Sequence, residues 1–98
     1  TIKNNMEIEF KVVCIDASNK PNDIPNNKWV KKDETYTVVN AEFMNMQNRL
    51  LGFELAEIDL TGCFPYTRFV ASRFRPFTLD DAAAISAVED LLKEFDYV

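Results

Sequence analysis

The chain has 98 residues, of which 47% are apolar and 12% aromatic, enough for one hydrophobic core in a single domain. Its net charge of −5 argues against general nucleic-acid binding, and the absence of histidine argues against a zinc site and a histidine-based catalytic centre. No apolar run reaches the roughly 20 residues of a membrane-spanning helix, and the N-terminus is too polar for a signal peptide. We therefore expect one cytoplasmic domain over residues 1–98 that is not an enzyme, uses no cofactor or metal and contacts no membrane.

The first predicted strand covers residues 6–15, where apolar and charged residues alternate. A period of two is typical of a strand with one face in the core and the other in water. The residues of the apolar face are Met6, Ile8, Phe10, Val12 and Cys14. Because Cys14 and Cys63 have apolar neighbours and no CxxC spacing, we expect two buried free thiols rather than a disulfide.

Residues 16–28 form a long segment rich in Asn, Asp, Ser and Pro, which favour turns. Long loops in small domains are often functional, so two interpretations stay open. The loop is either an ordered connection held by Asx-turns and anchored by Ile24, or part of a binding site. Trp29, which follows it, is either a core side chain or the floor of a binding groove.

The middle of the chain predicts a meander of strands after a charged turn at 31–34. Strands are expected at 35–39, 41–46 and 50–56, with a close approach or a bulge at Gly52. The apolar phase slips by one residue after Leu55, which predicts a bulge or a strand end near Leu55–Ala56. Residues 66–71 are expected to form a helical turn or connector, and 72–77 a last strand that Pro76 ends or confines to a sheet edge.

The last element changes to a helical period over residues 78–96. Thr78 is a good N-cap, and Asp80 and Asp81 place negative charge in the first turn. The apolar stripe is formed by Ile85, Val88, Leu92 and Phe95. The helix either packs on its own barrel or docks into a partner, which includes a second copy of the chain.

The charged turn followed by Glu34-Thr35-Tyr36-Thr37-Val38 resembles the entry to the meander of SH3-like barrels, over roughly residues 8–77. The chain is also similar to small uncharacterised proteins of gut bacteria and their phages, and no activity comes with that similarity. The SH3-like resemblance implies a mainly β fold, with a partly open barrel of about five antiparallel strands (6–77) followed by one helix.

The same resemblance implies a binding groove between the long first loop and the aromatic turn before the last strand. It therefore implies a non-catalytic module that binds an unidentified protein or peptide, with acidic loop residues facing basic ligand residues. The candidate binding residues are Asp16, Asp23, Trp29, Phe64, Tyr66 and Arg68.

A basic cluster among aromatic residues suggests an alternative function. Arg68, Arg73 and Arg75 lie among Tyr66, Phe69, Phe74 and Phe77, a pattern also found in single-strand nucleic-acid binders. In the competing interpretation the rings fill the core and the arginines pair with the acidic helix. The acidic net charge favours the competing interpretation, and a nucleic-acid accessory role is therefore kept only as an alternative. Self-association through the helix is a further alternative.

Overall fold

The computed structural model describes residues 9–44, 50–63 and 66–95. Five strands and one helix follow each other along the chain, with one 3-10 turn at Asn26–Lys28 and another at Ala71–Arg73. The elements are β1 (Phe10–Cys14), β2 (Thr35–Met44), β3 (Leu50–Leu55), β4 (Phe69–Val70), β5 (Phe74–Pro76) and α1 (Leu79–Phe95). In the described ranges α1 lacks the length and the apolar character needed to cross a membrane.

All neighbouring strands are antiparallel, and they form one five-stranded sheet in the order β4-β3-β2-β1-β5. The two edge strands, β4 and β5, are joined by the three residues Ala71–Arg73 alone. Such a short connection brings the two edges of the sheet close together, so the sheet must curl. The predicted fold class is therefore confirmed: an antiparallel, partly open barrel followed by a helix.

The alternation predicted for the first strand is seen in β1, within the part of it that the structure describes. Phe10, Val12 and Cys14 are buried and Lys11 is exposed. Cys14 and Cys63 are both buried free thiols, as expected, and burial raises the pKa of the Cys14 thiol.

The strand end predicted near Leu55–Ala56 is confirmed, because β3 ends at Leu55, and the β2–β3 ladder also holds an irregularity on β2. Val38 pairs with Leu55, but the next pair is Asn40 with Glu54, so β2 holds one extra residue there. The extra residue on β2 keeps Ala41 buried on the same face as Tyr36 and Val38.

Gly52 is the close-approach position predicted from the sequence. A Cβ atom at Gly52 would lie 2.7 Å from the Met44 sulfur, so the absence of a side chain lets Met44 lie across β3. Met44 is a flexible side chain, and we therefore expect an alanine at this position to displace it rather than to disrupt the strand.

The prediction of a helical turn or connector over residues 66–71 is wrong at its end. Phe69 and Val70 form β4, which pairs with Phe53 and Gly52 of β3. A strand of two residues carries no readable period, so only its pairing with β3 defines it. The last strand is also shorter than expected, since residues 71–73 form a 3-10 turn, and it ends at Pro76 as predicted.

Aromatic rings fill the centre of the barrel. Phe53 is 1% exposed, and its ring packs edge-on against Phe10 at 5.4 Å and tilted against Phe74 at 6.1 Å between centroids. Phe74 also packs edge-on against Phe69 and Tyr36. The ring edges meet the ring faces as the quadrupoles of aromatic groups favour.

The helix packs on its own barrel, against β1, β2 and β5. Val88 is buried, Ala84, Ile85 and Leu92 are partly buried against the core, and Leu91 is 41% exposed. Of the two predicted arrangements of the helix, the structure therefore shows the one in which it packs on its own barrel. One face of α1 covers the inside of the sheet.

Thr78 caps α1 through a reciprocal pair of hydrogen bonds with Asp81. The Asp81 N–H donates to the Thr78 hydroxyl (3.2 Å), and the Thr78 N–H donates to one Asp81 carboxylate oxygen (3.0 Å). The other carboxylate oxygen accepts the Lys11 N–H of β1 at 2.9 Å. The cap thus ties the start of the helix to the sheet.

We expect Asp81→Ala to lower the melting temperature at neutral pH and to lose its effect in acid. Hydrogen bonds from the Lys11 N–H, and next from the Thr78 hydroxyl, lower the pKa of Asp81. The folded state therefore favours the carboxylate, and this contribution is present above the ordinary aspartate pKa of about 4 and is lost as the pH falls through the lowered value. Melting curves of both proteins from pH 7 to pH 2 measure the difference. Asp80→Ala, an exposed position in the same turn, is the control, and a pH-independent effect at Asp81 would contradict the assignment.

Candidate binding site

The long loop is held to the barrel by Arg73. One nitrogen of its guanidinium donates to the carbonyls of Asp16 (3.0 Å) and Ser18 (2.8 Å), and it lies 3.7 Å from the Asp16 carboxylate. The Arg73 side chain is 19% exposed, so these contacts are largely shielded from water. Arg73, which was predicted to belong to a nucleic-acid patch, thus makes these contacts within the domain.

Trp29 is the second anchor of the loop. Its indole N–H donates to the Ala17 carbonyl at 2.8 Å, and its ring packs against Phe69 at 5.5 Å. The Arg73 guanidinium lies over the Trp29 ring, 4.8 Å from its centroid. Trp29 is therefore a half-buried packing residue, and its polar edge is already satisfied.

The acidic residues of the loop have different surroundings. The Ser18 hydroxyl and, next, the Ser18 N–H bind the Asp16 carboxylate, as in the predicted Asx-turn, and lower its pKa. Asp23 is exposed on the far part of the loop, whereas Ile24 beside it is 2% exposed. The loop is therefore a connection anchored by Ile24, and Asp23 is its exposed carboxylate without a partner among the described residues.

Arg68 lies on the outer side of β2 and β3, between two glutamates. Its guanidinium is 3.7 Å from Glu42 and 3.8 Å from Glu54, and its side chain is 17% exposed. Within the described residues the buried Arg68 Nε has no hydrogen-bond partner. These two distances are longer than a hydrogen bond, so both pairs act through charge, and the guanidinium also donates to the Thr67 carbonyl at 3.3 Å.

A cavity of about 180 Å³, here named the Arg68 cleft, opens beside this residue. β4 pairs with β3 at Gly52 and Phe53. The cleft lies beyond this pairing, where residues after Phe53 and residues 67–69 line it from two segments of the chain. Apart from the half-buried Arg68, the buried and half-buried lining side chains are apolar: Phe53, Leu55, Ile58, Leu60 and Phe69. The polar lining side chains are Glu54, Asp59, Thr61, Thr67 and Arg68. The Arg68 cleft therefore has an apolar floor and a polar rim.

The rim of the Arg68 cleft is built by a second turn. The Thr61 hydroxyl and, next, the Thr61 N–H bind the Asp59 carboxylate and lower its pKa, so Asp59 is anionic at neutral pH. Gly62 follows with a φ of 88°, a backbone conformation that favours glycine. The Lys28 ammonium donates to the Thr61 carbonyl at 3.2 Å, which joins this turn to the 3-10 turn before Trp29.

The structure divides the predicted binding residues into two groups. Asp16 and Trp29 meet at Arg73, whereas Arg68 lines the cleft, and Phe69 contacts both groups. Tyr66 is half-buried, and its N–H donates to the Cys63 carbonyl at 2.8 Å. Phe64 lies outside the described residues. The lining residues Ile58 and Leu60 were visible in the sequence as an alternating pair, but nothing there indicated that they face a cavity.

The predicted basic patch is not a free cationic surface. Within the part of the chain that the structure describes, Arg68 and Arg73 have their ion pairs with Glu42, Glu54 and Asp16, not with the acidic helix that was the expected partner. Arg75 is exposed and donates to the carbonyl of the next residue. Two of the three charges are therefore largely neutralised within the domain, which argues against phosphate binding there.

No protein-family model, curated protein or solved structure matches the chain. Among the described residues, no group of three or more histidine, cysteine or acidic side chains is placed to hold a metal ion. The candidate site therefore rests on the geometry of the Arg68 cleft alone.

Proposed function

We propose that the chain is a non-catalytic module that binds a segment of another protein in the Arg68 cleft. The observation that carries this proposal is an apolar floor that opens to solvent between polar side chains. A ligand pocket needs such a combination, because the floor supplies binding energy and the rim fixes orientation. An engineered cavity of about 150 Å³ holds benzene, so the Arg68 cleft, at about 180 Å³, has room for one apolar side chain.

The charges of the rim favour a basic ligand. Glu54 has a side chain that is 48% exposed, and Asp59 is exposed and anionic. The carboxylates around the rim, Glu42, Glu54 and Asp59, outnumber the nearby cations of Arg68 and Lys28, so the rim carries a net negative charge. We infer that the bound segment carries an apolar residue for the floor and a lysine or arginine beside it for Glu54 or Asp59.

Peptide selection tests this proposal with Thr67→Phe. Short random peptides displayed on phage are selected against the full chain, and the enriched peptides are synthesised and titrated. Thr67 is exposed and lines the Arg68 cleft, so a phenylalanine there fills its opening without removing a core side chain. We expect an affinity loss of at least about tenfold, as for the loss of a central interface contact.

Thr35→Phe is the matched control, because Thr35 is an exposed threonine that does not line the cleft. It should leave the affinity unchanged. Amide shifts in a ¹H–¹⁵N spectrum should cluster at residues 53–61 and 67–69. Peptides that bind equally well to both variants, or that shift other residues, would contradict the proposal.

A further inference from the structure

A second and larger cavity, here named the α1 cleft, lies between α1 and the sheet. Its volume is about 280 Å³, and it is separate from the proposed peptide site, although Phe53 contributes to both. Most of its lining is apolar and comes from β3, the 3-10 turn at Ala71–Arg73, β5 and α1. Leu51, Phe74, Pro76 and Ile85 are the large apolar side chains among those that face it with Phe53.

The helix places a single carboxylate in this apolar space. Ala82, Ile85 and Glu89 are three and four residues apart, so they share the helix face that lies over the cleft. Glu89 is half-buried and is the only charged side chain among the described lining residues. Arg75 lies between the lining residues Phe74 and Pro76 on β5, so its side chain is on the opposite face of the strand. It is exposed and does not line the cleft.

This combination selects a particular ligand chemistry. An apolar body gains free energy by leaving water for the space above Phe74 and Ile85. A cation attached to it pairs with Glu89, in surroundings with less water than the open surface, where charge interactions are stronger. An anionic group in the place of the cation would be repelled by the Glu89 carboxylate, so the cleft should exclude anionic compounds.

We propose that the α1 cleft binds a small apolar ammonium compound, with its apolar part between α1 and β5 and its cation at Glu89. The size fits a single ring or a short branched chain, because a cavity of about 150 Å³ already holds benzene. The net charge of −5 adds a general attraction for cations. This site is independent of the peptide site.

Benzylamine and benzyl alcohol test the proposal, because they share a ring and differ in charge at neutral pH. Each is titrated into the full chain and followed by ¹H–¹⁵N spectra. We expect saturable shifts at residues 71–76 and 82–89, and an affinity for benzylamine at least about fivefold higher than for benzyl alcohol. Equal affinities, or shifts confined to the Arg68 cleft, would overturn the proposal.

Two pairs of variants separate shape from charge. Ala82→Leu fills the cleft and should remove the binding of both probes, whereas Ala83→Leu, at an exposed position outside the lining, should not change it. Glu89→Gln should remove the preference for benzylamine, and Asp90→Asn, an exposed neighbour, should keep it. If Ala82→Leu does not fold, the Glu89 and Asp90 pair decides, and a preference that survives Glu89→Gln would overturn the assignment.

Discussion

Replacing Phe53 with alanine should lower the free energy of unfolding by about 3–5 kcal/mol, the usual loss for a buried phenylalanine. Phe53 is 1% exposed, touches the rings of Phe10 and Phe74, and lines both clefts. The change removes apolar contacts and leaves a void that rigid neighbouring strands cannot close. Urea unfolding followed by circular dichroism measures the loss.

A domain of this size has a total stability of about 5–15 kcal/mol, and at the lower end of that range the alanine variant retains almost none of it. Phe53→Leu keeps most of the volume and should cost about 1–2 kcal/mol, which keeps the measurement possible. Phe77→Ala is the matched control, because Phe77 is 52% exposed, and it should change stability by less than about 1 kcal/mol. If Phe53 and Phe77 gave equal losses, the described core would be wrong.

Arg73→Ala should release the loop over residues 16–28 and lower the free energy of unfolding by about 2–3 kcal/mol. The variant loses two hydrogen bonds to loop carbonyls and the guanidinium over Trp29. Since Trp29 is the only tryptophan, its fluorescence reports on the loop directly. We expect a red-shifted emission and faster quenching by acrylamide before global unfolding begins.

Two further variants make the Arg73 result specific. Arg73→Lys should recover only part of the loss, because an ammonium lacks the planar group that stacks on an indole ring. Arg75→Ala removes an exposed arginine that donates only to the Pro76 carbonyl among the described residues, and it should change stability by less than about 0.5 kcal/mol. Equal effects at positions 73 and 75, with unchanged Trp29 fluorescence, would show that Arg73 does not hold the loop.

The Phe53 and Arg73 variants should affect the Arg68 cleft as well as the stability of the domain. Phe69 packs against Trp29 on one side and lines the Arg68 cleft on the other. Loss of the Arg73 anchor should therefore weaken peptide binding without any change in the lining residues. This effect would be smaller than that of Thr67→Phe, because the cleft itself stays open.

Local patterns in the sequence determined the parts of the fold that repeat along one element. The alternation of Phe10, Val12 and Cys14 predicted β1, and Thr78 with the apolar stripe predicted α1 within one residue at each end. The phase slip after Leu55 predicted the end of β3 at that residue. Each of these signals shows which face of an element is buried. That pattern is set by residues close together in the sequence, so it can be read without the tertiary structure.

The tertiary structure alone decided how distant segments meet. β4 exists because Phe69 pairs with Phe53, and two residues have no period to read. Arg73 reaches Trp29 and Asp16 across more than 40 residues of sequence, and Arg68 pairs with Glu42 of β2 and Glu54 of β3. Which of several charged and aromatic residues become partners depends on how the whole sheet curls, because many pairings are chemically equivalent and only packing distinguishes them.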